Sequence, residues 1–223
     1  MLTLVKLVFR LIIKNIKNMD KLFNPQSIAI VGATPTEGKI GKIFVDNLLD
    51  LGYEGEVYLV NPKYDELFEK RCFPALEAVS NAIDVAIIVV PGKFVYDIIS
   101  KNADRVKNYV IISAGFSEVS EAGRELEDKI VKLAEEKELN VLGPNCLGFI
   151  NPERNLNASF AGDLPQSGNI GFVSQSGALI VAAMNMAKKS QIAFSKVASI
   201  GNKMQIDGAK MINYLGEDEQ TKV

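Results

Sequence analysis

Histidine is absent from the chain of 223 residues. This absence excludes Ser-His-Asp and Cys-His catalysis, histidine-ligated metal sites and a phosphorylated histidine within these residues. Any chemistry in which the chain takes part must therefore use other side chains or another polypeptide. We expect no catalytic residue in this chain.

Cysteine is scarce as well, since only Cys72 and Cys146 occur. The two lie far apart in sequence and lack the spacing of metal ligands, so we expect no metal site. Their number fits a reducing cytosol better than a disulfide scaffold. The sequence therefore predicts a cytoplasmic protein.

Neither sign of charge is in large excess. The 25 basic and 27 acidic residues leave a net charge of −2, so no overall field favours nucleic acid or an anionic membrane, and we expect neither as a partner. Any anion site must be local. The hydrophobic content of 48% supports a core, and the length suffices for one large or two modest domains.

Residues 1–18 are apolar with regularly spaced charges. The charged side chains recur at three- and four-residue steps, which places them on one helix face: Lys6, Arg10, Lys14 and Lys17. A membrane-surface helix is one interpretation. The charges interrupt the run too often for a spanning helix, and no small-residue cleavage site follows. Because Met19-Asp20 directly precedes the first ordered-looking element, we interpret 1–18 as an extension outside the fold.

A strand, a glycine-rich turn and a helix are predicted from Ser27 onward. A short apolar run ends at Gly32, a loop containing Gly38 and Gly41 follows, and an amphipathic pattern begins there and ends at Gly52. Such a turn directs free backbone N–H groups and the positive end of a helix dipole to one place. The stretch therefore suits a phosphate or pyrophosphate group.

This turn matches neither of the two common phosphate-binding motifs. Five residues separate Gly32 from Gly38, one more than a P-loop has, and Ile40 stands where a Mg²⁺-binding Ser or Thr is needed. The first glycine is also too far upstream for the plain dinucleotide fingerprint. A glycine turn that serves only backbone geometry remains the alternative.

The end of the second predicted strand, 57–60, carries a lysine. In a nicotinamide-binding fold an acidic residue at this point would bind the ribose 2′-hydroxyl, but here the chain reads Asn61-Pro62-Lys63. A cation suits a phosphate-bearing ribose, which points away from NAD and towards NADP or coenzyme A (CoA) with its 3′-phosphate. An ordinary solvated lysine in a turn remains the alternative.

Three further predicted strands, 85–90, 109–112 and 141–142, alternate with helices, one of them predicted over 118–138. Small residues follow each strand, beginning at Pro91, at Ser113 and at Gly143. This pattern predicts a doubly wound parallel sheet whose ligand lies across the carboxyl ends of the strands. A first domain is expected to end near residue 148.

A second unit follows a polar stretch over 151–168 that we interpret as a linker or excursion. Its first strand, 169–173, leads through Ser174-Gln175-Ser176-Gly177 into a helix, which makes this turn a second candidate anion site. Simple N-capping is the alternative. A strand over 193–200 and a helix over 206–215 complete the pattern. Two strand–helix units cannot cover a sheet on both faces, so this domain is expected to be incomplete.

Five motifs occur in a fixed order from about Leu22 to near the end of the chain. They are Phe23-Asn24-Pro25 with Ser27-Ile28-Ala29-Ile30-Val31-Gly32-Ala33, Val60-Asn61-Pro62-Lys63, Gly143-Pro144-Asn145-Cys146-Leu147-Gly148, Gly171-Phe172-Val173-Ser174-Gln175-Ser176-Gly177 and Ser199-Ile200-Gly201-Asn202-Lys203. In this order they resemble the NDP-forming acyl-CoA synthetases, the superfamily that includes the succinyl-CoA synthetase α subunit. The likeness is greatest to the ADP-forming acetate–CoA ligases.

The resemblance implies an α/β fold, in which a Rossmann-like doubly wound CoA-binding domain (19–148) precedes an incomplete flavodoxin-like ligase domain (149–223). It implies a set of cofactor-binding residues: Gly32, Ala33, Thr34, Gly38, Lys39, Ile40, Gly41, Lys63, Val90, Pro91, Ser113, Ala114, Gly115 and Phe116. It also implies phosphate binding by Ser174, Gln175, Ser176 and Gly177. Asn145 would orient the acyl or thioester group.

The reaction implied by the resemblance converts acyl-CoA, ADP and phosphate to the acid, ATP and CoA through acyl phosphate and a phosphorylated histidine. Because this chain has no histidine, the implied partners include a histidine-bearing remainder of the ligase domain and an ATP-grasp domain or β subunit. A small carboxylic acid would be the substrate, and ADP or ATP with Mg²⁺ would bind only in the full enzyme. By itself the chain should bind CoA without turnover.

Two other functions remain open. A CoA-binding regulatory or redox-sensing module would not need residues 169–215. An NADP-dependent oxidoreductase would suit Lys63 but would leave the long glycine loop and the 174–177 turn unexplained. Binding of CoA or of NADP separates the last possibility from the others.

Overall fold

A computed structural model describes residues 19–223, so the predicted extension over 1–18 lies outside the described residues. The chain begins with helical residues 19–23 and continues into a seven-stranded sheet. The strands of this first sheet are β1 (Ser27–Val31), β2 (Glu56–Val60), β3 (Glu66–Leu67), β4 (Lys70–Phe73), β5 (Val85–Ile88), β6 (Asn108–Ile111) and β7 (Asn140–Leu142).

The strand order of the first sheet is β3-β4-β2-β1-β5-β6-β7. Only β3 pairs antiparallel, with β4, and the other six strands are parallel. Numbered without β3, they follow the 3-2-1-4-5-6 order of a doubly wound nucleotide-binding sheet, in which the direction of winding reverses between β1 and β5. The predicted α/β fold is confirmed.

Helices cover both faces of this sheet. The helices of the first unit are α1 (Ile40–Asp50), α2 (Val95–Asn102) and α3 (Glu121–Glu136). The second unit contributes two more helices, α4 (Gly177–Ser190) and α5 (Gly208–Glu217). Alternate residues of β1 face opposite cores: Ile28 and Ile30 pack with the α1 side, whereas Ala29 and Val31 pack with α2 and α3. All of β1 is therefore buried, as a strand covered on both faces must be.

A second sheet has the order β10-β11-β8-β9. Its strands are β8 (Gly148–Asn151), β9 (Leu156–Ser159), β10 (Ser167–Ser174) and β11 (Phe194–Ser199). Strands β10 and β11 are parallel, and β8 pairs antiparallel with both β11 and β9.

The prediction of a linker or excursion over 151–168 is wrong for its first part, because β8 and β9 are buried strands of this second sheet. Polar residues in these strands are typical of a surface loop, but here most of their polar groups are hydrogen-bonded inside the core. Asn157 donates to the main-chain oxygen of Gly162 over 2.8 Å and accepts from the Ser159 hydroxyl over 2.6 Å.

The two sheets share one hydrophobic core. Helix α1 packs on β9, where Asn47 donates its side-chain N–H to the main-chain oxygen of Ser159 over 2.8 Å. The N-terminal segment also joins the units, because the Phe23 ring stacks on Tyr214 of α5 at 4.8 Å and meets Phe149 of β8 edge-on at 5.2 Å. Within residues 19–223, no helix has the length and apolar character needed to span a membrane.

Candidate functional site

The turn after β1 is held by two glycines in close contact. Gly32 donates its N–H to the main-chain oxygen of Val60 over 2.8 Å and has φ of +104°. A β-carbon on Gly41 would lie 2.2 Å from the Gly32 oxygen, so only glycine fits at the start of α1. The loop between them is therefore a tight bend that leaves the strand end and enters the helix beside it.

The amino end of α1 is open to solvent. Its N-cap residue, Lys39, makes no side-chain capping bond, and the first turn contains no acidic residue. Gly38 has φ of +75° with open space where a β-carbon would lie. Because the first N–H groups of a helix have no partner within it, this end offers donors and a positive dipole to an anion.

The basic side chain of Lys42, in the first turn of α1, already has an acidic partner. Lys42 contacts Asp46 over 2.6 Å, and this hydrogen bond holds the pKa of Lys42 above its ordinary value. Thr34, in the loop, accepts a hydrogen bond from the Thr36 N–H over 3.3 Å. The loop itself is therefore ordered by local bonds, whereas Lys42 is directed along the helix.

Lys63 is joined to the glycine loop by an asparagine. The Asn61 side chain donates to the main-chain oxygen of Ala33 over 2.7 Å and accepts from the Lys63 N–H over 3.0 Å. The lysine side chain is exposed, and among the described residues its ammonium forms no ion pair. The carboxyl ends of β1 and β2 thus bring a free cation and the open helix end to the same edge of the sheet.

The loops after β5, β6 and β7 lie side by side at this edge. The Ser113 hydroxyl donates to the main-chain oxygen of Val90, and the Asn145 N–H donates to the oxygen of Ser113 over 3.0 Å. A β-carbon on Gly92 would lie 3.2 Å from the oxygen of Ala114. The predicted groove residues after three separate strands are therefore neighbours.

Exposure differs among these groove residues. Pro91, Ala114 and Gly115 are exposed, whereas the Phe116 ring is fully buried in the core beneath α2 and α3. Only the main chain of Phe116 can border a groove at this edge.

The second turn, at the start of α4, is stabilised by its own side chains. The Ser176 hydroxyl is the N-cap and accepts from the Leu179 N–H over 3.2 Å, and the Ser174 hydroxyl accepts from the Ser176 N–H over 3.0 Å. Gln175 donates to the main-chain oxygen of Gly201 over 3.2 Å. A β-carbon on Gly177 would lie 3.0 Å from the Leu147 side chain, so α4 starts close against the 143–148 turn.

Two polar residues near these turns were given no role in the site by the sequence interpretation. Ser199, at the carboxyl end of β11, aligns with Ser174, is 1% exposed, and its hydroxyl has no hydrogen-bond partner among residues 19–223. Glu118, which was predicted to begin a helix over 118–138, instead lies before α3 begins at Glu121 and accepts from the Gly115 N–H over 2.7 Å. A hydroxyl at the end of a predicted strand was the available signal for Ser199.

Neither cysteine is suited to nucleophilic chemistry. Both are free and buried. Burial raises the pKa of Cys146 to about 12 and also raises the pKa of Cys72. Residues 19–223 contain no cluster of three or more acidic or cysteine side chains placed to hold a metal ion.

A polar cavity of about 750 Å³ lies elsewhere, between the N-terminal segment and the second sheet. Gln26 and Gly55, which line it, precede β1 and β2, so it opens at the amino ends of these strands. Its buried Lys196 is paired with Asp218 over 3.1 Å. Since ligands of doubly wound sheets bind at the carboxyl ends, this cavity is not the candidate site.

A doubly wound sheet with a glycine turn and an open helix end at its carboxyl edge defines a nucleotide-binding type of α/β protein. Residues 26–152 match the CoA binding domain family, and residues 167–223 match the succinyl-CoA ligase like flavodoxin domain. The chain therefore belongs to the CoA-binding domain family.

Curated relatives are similar over nearly the whole chain. The chain is 44% identical over 200 residues to an ADP-forming acetate–CoA ligase of Methanocaldococcus jannaschii, covering 89% of this chain and 28% of the relative. It is 42% identical over 206 residues to ADP-forming acetate–CoA ligase I of Archaeoglobus fulgidus, covering 92% and 30%. The chain thus spans less than a third of the length of these two relatives.

A solved structure has the same fold. The dinucleotide-forming acetyl-coenzyme A synthetase 1 of Ca. Korarchaeum cryptofilum, in complex with phosphate and ADP, superimposes with a TM-score of 0.86 at 39% identity. The similarity covers 91% of this chain and 44% of that one. Both units of the chain are therefore included in the match.

Proposed function

We propose that this chain is the CoA-binding portion of an ADP-forming acyl-CoA ligase that uses acetate or another small carboxylic acid. The observation that carries the proposal is the meeting of the open α1 amino end, the Gly32–Gly41 bend and the free Lys63 at one edge of a sheet that belongs to the CoA-binding family. These groups supply donors for a pyrophosphate and a cation for a separate phosphate.

In this proposal the glycine loop binds the pyrophosphate of CoA. Gly32 and Gly41 pack against main-chain atoms and so fix the shape of the bend, whereas the open space at Gly38 leaves room for an anion to approach the main chain. Lys63 would meet the 3′-phosphate on the ribose. The same chemistry would suit NADP, which carries a phosphate on its ribose, so the ligand must be tested.

The adjoining loops would hold the rest of the cofactor. Val90 and Pro91 would line one wall, and Ser113, Ala114, Gly115 and the main chain of Phe116 would line the other. Asn145, which is exposed, would contact the thioester or acyl group. The proposed division into a cofactor domain (19–148) and a ligase domain (149–223) lies at the start of β8.

The turn at 174–177 would hold phosphate during acyl phosphate formation. Its N–H groups and the α4 dipole stabilise phosphoryl charge without transferring a proton, so the role needs no titrating side chain. Because the chain contains no histidine, the phosphorylated histidine must lie on another segment. An ATP-grasp domain or β subunit would bind ADP or ATP with Mg²⁺. A cytoplasmic location agrees with the two free cysteines.

The experiment that tests the proposal is calorimetric titration of the chain with CoA, with NADP as a control of similar charge. We expect saturable binding of CoA and none of NADP. Binding of NADP alone would contradict the ligase assignment and favour an oxidoreductase. A CoA-binding regulatory module would also bind CoA, but adding inorganic phosphate would then give no further heat and no stabilisation.

A further inference from the structure

We propose that Glu118 is a positioning residue that connects the cofactor groove to the thioester end of the site through Asn202. The inference rests on the proposed function, because it assigns a role within the same site. Glu118 lies on the loop after β6, and Asn202 lies on the turn after β11, so the contact joins the two sheets.

The two oxygens of Glu118 have separate partners. Oε1 accepts from the main-chain N–H groups of Gly115 over 2.7 Å and Phe116 over 3.3 Å. Oε2 accepts from the Asn202 side-chain N–H over 2.6 Å. One carboxylate therefore shapes the loop of the predicted groove and also fixes a side chain of the second unit.

The orientation of the Asn202 amide follows from its neighbours. Its nitrogen also lies 3.3 Å from Oε2 of Glu127, and two carboxylates can only accept hydrogen bonds. The Asn202 oxygen must therefore point the other way, where the Asn145 nitrogen lies 3.5 Å away. The Asn202 main chain is held as well, because its N–H donates to the oxygen of Pro144 over 2.9 Å.

Asn145 is the last member of this chain of contacts. It is exposed, it has φ of +54°, and it belongs to the turn that is proposed to meet the thioester. One N–H of its amide faces Asn202, and because the residue is exposed its oxygen and second N–H remain for a ligand to use. Glu118 thus sets the loop of the groove and the Asn145 amide with one side chain.

The network requires an ionised Glu118. Partial burial opposes ionisation, but hydrogen bonds from Asn202 and from the Gly115 and Phe116 N–H groups outweigh it and hold the pKa of Glu118 below its ordinary value of 4.5. At neutral pH both oxygens are acceptors, as the three donors require.

The substitution Glu118→Gln tests this role with almost no change in shape. The Gln oxygen can keep the bonds to Gly115 and Phe116, but its NH₂ group then faces the NH₂ group of Asn202. The bond between Asn202 and position 118 is lost, while the longer contact of Asn202 with Glu127 remains. We expect CoA to bind roughly tenfold more weakly, as for one lost charge-assisted bond. Adenosine 3′,5′-bisphosphate, which lacks the pantetheine arm, should bind as in the wild type.

Two further variants provide a rescue. Asn202→Asp brings three carboxylates together and should bind CoA more weakly than E118Q does. In the double variant E118Q/N202D the Gln donates to the new carboxylate, so the link is restored with donor and acceptor exchanged. The double variant should bind CoA more tightly than either single variant, whereas independent structural damage would add.

A control variant and the measured affinities for CoA and for the bisphosphate decide whether Glu118 has this role. Glu125→Gln, an exposed position on α3, should leave both affinities unchanged. Wild-type affinity for CoA in E118Q, or equal weakening of CoA and the bisphosphate, would overturn the role of Glu118 while leaving CoA binding intact. Failure of the wild type to bind CoA would overturn this inference together with the proposed function. If E118Q folds poorly, Asn202→Ala removes the contacts with both Glu118 and Glu127 without altering the loop bonds, and it should give a CoA-specific loss at least as large.

Discussion

The main-chain oxygen of Gly32 lies where any side chain on Gly41 would have to be, 2.2 Å from a β-carbon built there. Gly41→Ala must therefore move the strand end or the start of α1, neither of which is a flexible side chain. We expect a loss of about 1–3 kcal/mol in the free energy of unfolding and the loss of CoA binding. Urea unfolding and calorimetry measure the two effects.

The control for this substitution is Gly216→Ala. Gly216 lies in α5 with open space around its α-carbon. Alanine there should stabilise the fold by about 0.5–1 kcal/mol, because glycine is a poor helix residue. A Gly41 variant as stable as the wild type would contradict the close contact.

Lys63 is predicted to recognise a phosphate on the ribose. Lys63→Ala should weaken CoA by about 1–3 kcal/mol, since a hydrogen bond to a charged group is lost, and should weaken 3′-dephospho-CoA far less. Calorimetric titration with both ligands makes the comparison. Lys129→Ala, an exposed position on α3, is the control and should change neither affinity. Equal losses for both ligands would remove Lys63 from the 3′-phosphate.

Ser176 is predicted to have two roles, as the N-cap of α4 and as part of a phosphate site. Ser176→Ala should lower the free energy of unfolding by about 1 kcal/mol through the lost cap. It should also reduce the stabilisation that inorganic phosphate gives in thermal unfolding. Ser120→Ala removes the cap of α3, where the hydroxyl accepts from the Gly123 N–H over 3.1 Å, and serves as control. A normal phosphate response in S176A would leave only the capping role.

The pH dependence of stability reports on Glu118. Because the folded-state pKa of Glu118 is lowered from 4.5, its ionised form stabilises the protein above the unfolded pKa. This contribution is lost as the pH falls through the folded pKa. The stability difference between wild type and E118Q should therefore be larger at about pH 7 than at about pH 4. Glu127, which faces the same amide, is common to both proteins, and urea unfolding at the two pH values gives the comparison. An unchanged difference would mean that Glu118 is not ionised in the contact.

Five of the seven strands of the first sheet could be predicted because they are short apolar runs that end in small residues. Strands β3 and β4 were not predicted, since neither is an apolar run. β1 and β5 are buried on both faces, and such strands have a continuous apolar sequence. The predicted start of a helix differs from the observed one where an N-cap residue determines where the helix begins. The helix predicted from Ile206 begins at Gly208, because the Asp207 side chain accepts from the Lys210 N–H over 2.9 Å.

The second sheet was predicted less well because its buried side chains are partly polar. Asn151 is fully buried, and its amide donates to the main-chain oxygen of Phe23 over 3.0 Å, a contact between residues far apart in sequence. No local pattern predicts such a partner. The same reason explains Glu118, whose position is evident only from the contacts that the fold creates with Asn202.

CoA is proposed to bind at the carboxyl edge of the first sheet, and an NMR titration of the isotope-labelled chain can locate the binding site residue by residue. We expect CoA to shift the amide signals of the Gly32–Gly41 loop, of Lys63 and of Gly115. Signals near Lys196 and Asp218, in the polar cavity at the opposite edge, should stay unchanged. Shifts confined to that cavity, or none in the glycine loop at saturating CoA, would rule out binding at the carboxyl edge.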